Sequence, residues 1–333
     1  MDETPAMDRT ADAPDNPRGN TTMGHLLSGL ILYAPGAFFF FPWKPPMQLL
    51  FGDTYEAAYH HFRRDHSDAT NVVLHCIALV WQLLGNFGML AAVDDLMFGG
   101  AVEVGTLHLR PCLTLTALSW CITLLLSPAP TVCSLVSVVS ITTAFVVAPR
   151  VSPDELESGA ITTFIAVLFV APFVFKPSVT VNGGRGSGAR YVKALAYFGL
   201  AIGARAVALP WAGQLVTWAP QMNAALCALM CALSLLPKPV IPCVLGGILV
   251  VRPFAELSGQ RFLLYYSNAF FAQLAQGIAH DVSMQKATLL SHQDSMADRR
   301  VRLAFEWSHV VYFPNLLYQS CHESLVGAKG KTA

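Results

Sequence analysis

From Val72 to Leu90 the chain runs through nineteen residues without a charge, VVLHCIALVWQLLGNFGML, and that run sets what the protein can fold into. As a helix it would reach about 28 Å, close to the ~30 Å hydrocarbon core of a bilayer. The run is not alone. Further apolar stretches at about 111–127, 131–149, 159–176, 191–211, 220–236, 239–252 and 262–280 predict an all-α, polytopic transmembrane helix bundle of about eight spans. With 54% hydrophobic and 13% charged residues, the 333-residue chain is too apolar for an ordinary soluble domain. Pro237 and Pro239 make the sixth and seventh stretches a candidate hairpin, and Arg205 in the fifth needs a partner or a wet cavity.

The remainder divides around that bundle. Residues 1–22, rich in Asp, Pro, Asn and Thr, read as a disordered tail. Residues 23–66 read as an interfacial or re-entrant segment, because Leu26 to Phe41 is only sixteen residues long and is broken at Pro35-Gly36. Residues 67–290 form the transmembrane domain, and residues 291–333 a cytosolic amphipathic segment and tail. Eight cysteines without a CxxC pair read as small buried hydrophobes.

A formal net charge of zero gives no argument for nucleic acid, and the apolar composition makes the bilayer the expected partner. Eight crossings collect Arg63, Arg64, Lys176, Arg185, Arg190, Lys193, Lys238 and Lys286 on the side of His66. The positive-inside rule makes that side, with the C-terminus, cytosolic. Lys329 and Lys331 resemble a dilysine retrieval signal, which places the protein in the endoplasmic-reticulum membrane.

Chemistry-bearing residues gather at the mouth of the first long run. Asn71 and His75 are four apart and share a helix face, about 40° apart around the axis. His66 is half a turn out of phase with His75, so it reaches the same place only if the helix begins after it, and Ser67 and Asp68 supply that start. On the last span Gln273, Gln276 and His280 form one stripe at i, i+3 and i+7. An eighth crossing returns His280 to the side of His66 and His75. Neutral imidazoles suit Fe, Zn or Cu, and Asp65, Asp68 and Asp281 are the carboxylates within reach. Interhelical hydrogen bonding is the competing reading for each of these polar groups.

The pattern His66, Asn71, His75 ahead of an apolar span, with Gln276-Gly-Ile-Ala-His280 closing a later one, resembles the paired motifs of the DUF962 (Mpo1-like) family. The likeness covers roughly residues 55–90 and 262–290. It departs at Cys76-Ile-Ala-Leu-Val80, where the family has Gly and Pro, at Ala279, where it has Gly, and at Met284, where an acidic residue is common. The resemblance implies a multi-span endoplasmic-reticulum dioxygenase that shortens long-chain 2-hydroxy fatty acids by one carbon. It implies Fe(II) held by His66, His75 and His280, within motifs that include Asn71 and Gln276, and the helix stripe and nearby carboxylates add Gln273 and Asp281 as residues expected next to the metal or substrate. A non-catalytic lipid-binding or structural protein of the same fold, and a multi-span transporter, are the alternatives.

Overall fold

The computed structural model describes residues 42, 44–52, 54–174, 251–283 and 299–329, with Ala196 and Gly199. The expected N-terminal tail, the Leu26–Phe41 segment, nearly all of the stretches 191–211 and 239–252, the stretch 220–236, Arg205 and the 329–333 signal beyond Lys329 lie outside the described residues. What is described is mostly helical. Nine helices are numbered here in chain order: α1 Lys44–Phe51, α2 Tyr55–Asp65, α3 Ala69–Phe98, α4 Pro111–Leu126, α5 Thr131–Val147, α6 Pro153–Val174, α7 Arg252–Ser258, α8 Arg261–Ser283 and α9 Arg299–Lys329. One antiparallel hairpin, β1 Val102–Val104 paired with β2 Leu107–Leu109, interrupts them between α3 and α4.

Helix ends follow local chemistry. The Thr54 hydroxyl accepts from the Ala57 amide to start α2, and Arg63 and Arg64 in its last turn complement the helix dipole. The Asp68 carboxylate accepts from the Asn71 amide at 3.1 Å and starts α3, leaving His66 outside the helix as the C-cap of α2. α3 runs to Gly99, whose φ of 71° is the left-handed turn that releases the chain into the hairpin. Asp94, fully buried near that end, accepts from the Cys112 and Leu113 amides and so caps α4 from outside. Ser152 and Glu155 form a reciprocal capping box at the head of α6. That box starts α6 six residues earlier than the apolar run alone suggested.

α3 is the axle. It packs against α8 along most of its length and touches α5, α6 and α9 on its other sides. Close approach needs small residues. A Cβ on Gly88 would stand 2.5 Å from the Tyr265 ring of α8, and one on Gly85 would stand 3.4 Å from the Tyr265 carbonyl oxygen. A second tie lies at the far end of α3 from His66. There Arg252, 1% exposed, meets Glu157 at 2.8 Å and Glu256 at 2.8 Å and also pairs with Asp154.

Among the described residues two helices, Ala69–Phe98 and Thr131–Arg150 with its terminal 3-10 turn, are long and apolar enough to cross a membrane. They differ in setting. α3 is enclosed by other helices, whereas α5 turns Val132, Leu135 and Val139 outward, as α4 does with Leu118 and Ile122 and α6 with Phe169 and Val170. All seven side chains are more than half exposed, an apolar belt suited to lipid contact. α4, at about 24 Å, falls short of a full hydrocarbon core.

Within the C-terminal segment, residues Arg299–Lys329 form a 31-residue helix that buries Val311, Leu316 and Leu317 completely. Its apolar run is short and contains Pro314, so no span or amphipathic template fits it. Asn315 secures it, accepting from the Ser137 hydroxyl of α5 and donating to the Leu124 carbonyl of α4 at 3.3 Å. Cys76, Cys112, Cys121, Cys133 and Cys321 are free thiols, in keeping with their reading as small hydrophobes. The other three cysteines lie outside the described residues.

Candidate metal centre

The site begins with backbone geometry. His66 ends α2, His75 lies almost two turns into α3, and His280 lies in the last turn of α8. Packing of α8 antiparallel on α3 brings the third ring to the first two. Ring centroids stand 4.6 Å apart for His66 and His75, and 4.7 Å apart for each of them with His280. Each residue offers one ring nitrogen, and the three nitrogens lie within 4.8 Å of one another. His66 and His75 are buried.

Hydrogen bonds orient the rings. His66 Nδ1 lies 2.9 Å from the Phe62 carbonyl oxygen, and His75 Nδ1 lies 3.0 Å from the Asn71 carbonyl oxygen. A carbonyl only accepts, so in the neutral imidazole both Nδ1 atoms carry the proton and both Nε2 atoms are the unprotonated nitrogens. That is the arrangement which fixes the tautomer of a metal-ligating histidine. Phe62 adds a face-to-face stack on His66, with centroids 3.8 Å apart and planes 4° from parallel.

Asn71 is the node that joins the three elements. Its side-chain amide donates to the Asp65 carbonyl of α2 at 2.9 Å and stands 3.4 Å from His280 Nδ1 of α8, while its backbone carbonyl holds His75. Gln276 does not join the cluster: its amide donates to Gln82 of α3 at 2.9 Å, about one turn deeper along α8. Gln273 is half-buried further along the same helix. Asp281 follows His280 on α8, with its side chain outside those described. The Asp68 carboxylate is engaged as the α3 cap, and Asp65 lies beside Arg64 at 3.5 Å. Among the described residues the cluster is therefore three histidines and no carboxylate.

Three partners escaped the sequence reading. Phe62 and Arg63 lie one turn ahead of His66, where helix periodicity marks them as its neighbours, but nothing in their type announces a site. Gln82 lies within an apolar run and meets Gln276 only in the folded bundle.

Three imidazoles, two of them with tautomers anchored by backbone carbonyls, fit a divalent transition metal that leaves coordination positions open to other ligands. Comparison of the chain with family models, with curated proteins and with solved structures returns no match.

Proposed function

We propose that this protein is a membrane-embedded, iron(II)-dependent oxygenase acting on a long-chain 2-hydroxy fatty acid. The observation that carries the reading is the convergence of His66, His75 and His280, two of them with Nδ1 committed to a backbone carbonyl. The substrate and the choice of iron come from the resemblance of the two histidine motifs to the DUF962 family, and the full bundle of about eight spans belongs to this proposal as well. So does the endoplasmic-reticulum location.

His66, His75 and His280 would hold Fe(II), which would supply dioxygen chemistry for a 2-hydroxy acid substrate. The protein's own part is orientation and exclusion. Phe62 and the Asn71 node hold two rings rigid, and the α3–α8 seam keeps the cluster out of bulk water. An acyl chain meets apolar helix faces on this bundle, which suits a lipid substrate. Overall, one dioxygen and one 2-hydroxy acid give the acid one carbon shorter, carbon dioxide and water, which balances without a further reductant.

The test is metal analysis of the purified full-length protein, followed by oxygen uptake and product analysis with a 2-hydroxy fatty acid. Near-stoichiometric iron and a shortened acid support the proposal. Zinc in place of iron, or iron without turnover, removes the oxygenase reading. Metal-free protein that still binds fatty acid favours the non-catalytic alternative.

A further inference from the structure

His66 differs from the other two histidines in one respect: it does not lie within a helix. It is the C-cap of α2 at φ −128° and ψ 52°, and only Ser67 and Asp68 separate it from α3. A ring on a short loop holds its place only if the loop's carbonyls are tied down. Two ties are visible, and both lead to α9. Arg63 Nη1 donates to the His66 carbonyl at 2.8 Å and, from the same nitrogen, to Ser324 Oγ at 2.6 Å and the Ser320 carbonyl at 3.1 Å. The Ser324 hydroxyl in turn donates to the Ser67 carbonyl at 3.3 Å, and Glu323 stands 3.7 Å from Arg63 Nε.

We infer that Arg63 is a positioning residue for the histidine cluster, and that through it the C-terminal helix α9 is a working part of the metal centre. The inference rests on reading the three histidines as ligands of one metal. Arg63 touches no ligand nitrogen. It fixes the backbone from which the His66 ring projects, and it takes its own position from a helix more than two hundred and fifty residues away in sequence. A guanidinium suits this task because its planar fork serves carbonyls on two elements at once, which a lysine ammonium on a flexible stem does less well. Coupling through such a contact is reciprocal: whatever α9 docking adds to metal affinity, bound metal must add to α9 docking.

The experiment uses full-length protein in detergent with Co(II) as a spectroscopic probe of the site. Wild type, Arg63→Ala, Arg63→Lys, Ser324→Ala and Arg110→Ala are compared. Arg110 is the matched control, since it makes a similar tie, to the Ala91 carbonyl and to Asp95, at the opposite end of α3. Three quantities are read: Co(II) affinity from ligand-field absorption, hydrogen-exchange protection of residues 316–324 with and without Co(II), and the rate at which diethylpyrocarbonate acylates His66. Arg63→Ala should weaken Co(II) binding on the order of 10–100-fold. It should also abolish the metal-dependent protection of α9 and speed His66 acylation roughly tenfold. Arg63→Lys should recover part of each effect, Ser324→Ala should show a smaller loss, and Arg110→Ala should change none of the three.

Wild-type affinity and protection in Arg63→Ala overturn the inference. If wild type binds no Co(II), the metal reading itself falls, and the acylation rate still decides on Arg63: an unchanged rate overturns its role. If Arg63→Ala does not fold, Ser324→Ala carries the decision on the same readouts, because it removes the Ser67 contact and one Arg63 contact while leaving the guanidinium and its bond to the His66 carbonyl in place.

Discussion

Asn71 and His280 are 209 positions apart in sequence, yet the Asn71 amide nitrogen stands 3.4 Å from His280 Nδ1. The same amide reaches the backbone of α2 at Asp65, so one side chain measures the spacing of three helices at the point where the three histidines meet. A residue in that position governs ligand geometry more than ligand identity, and this difference separates the first two predictions.

Replacing His66, His75 or His280 by Ala should each remove most of the bound metal and nearly all turnover. Ligands act as a unit, so His66→Ala/His75→Ala together should be little worse than either alone. Metal content and thermal unfolding of the four variants decide the matter. Small stability losses that add across sites, with no dependence on metal, are what interhelical hydrogen bonding alone would give.

Asn71→Ala keeps the backbone carbonyl that holds His75 and loses the side-chain ties to Asp65 and His280. Metal affinity should fall by on the order of 10–100-fold, with the site still able to fill at high metal concentration. A titration that saturates normally, at wild-type affinity, counts against Asn71 as the node.

Arg252→Met tests the tie at the other end of the bundle. Glu157 beside it is 5% exposed, and leaving that carboxylate without its partner should cost about 3–5 kcal/mol in a denaturation measurement. Adding Glu157→Gln should recover much of the loss, because the buried charge then disappears along with its partner. Metal content measured below the unfolding transition should stay at the wild-type level in both variants.

Topology is tested by epitope tags at residue 186 and at the C-terminus. An eight-span bundle with the positive side cytosolic exposes both to protease in intact microsomes. Protection of either one breaks the span count and the charge-based orientation together.

The sequence by itself determined the helices that have strong local causes. Asp68 as a cap and the uncharged run after it are written in adjacent residues, and α4 and α5 fall within two residues of their apolar runs, whereas α3 continues past the end of its uncharged run and α6 begins six residues before the expected start. The histidine pair spaced around Asn71 was legible for the same reason. Only the tertiary structure decided that His280 completes a triangle with rings 4.6–4.7 Å apart, because no local rule sets which faces of α3 and α8 meet. That choice comes from Gly85 and Gly88 admitting the Tyr265 region of α8. The C-terminal helix shows the same limit. Its buried run is too short and too polar to announce itself, and its place beside His66 follows from partners that lie hundreds of residues earlier in the chain: Arg63 by hydrogen bonding, and Ser137 and Leu124 through Asn315.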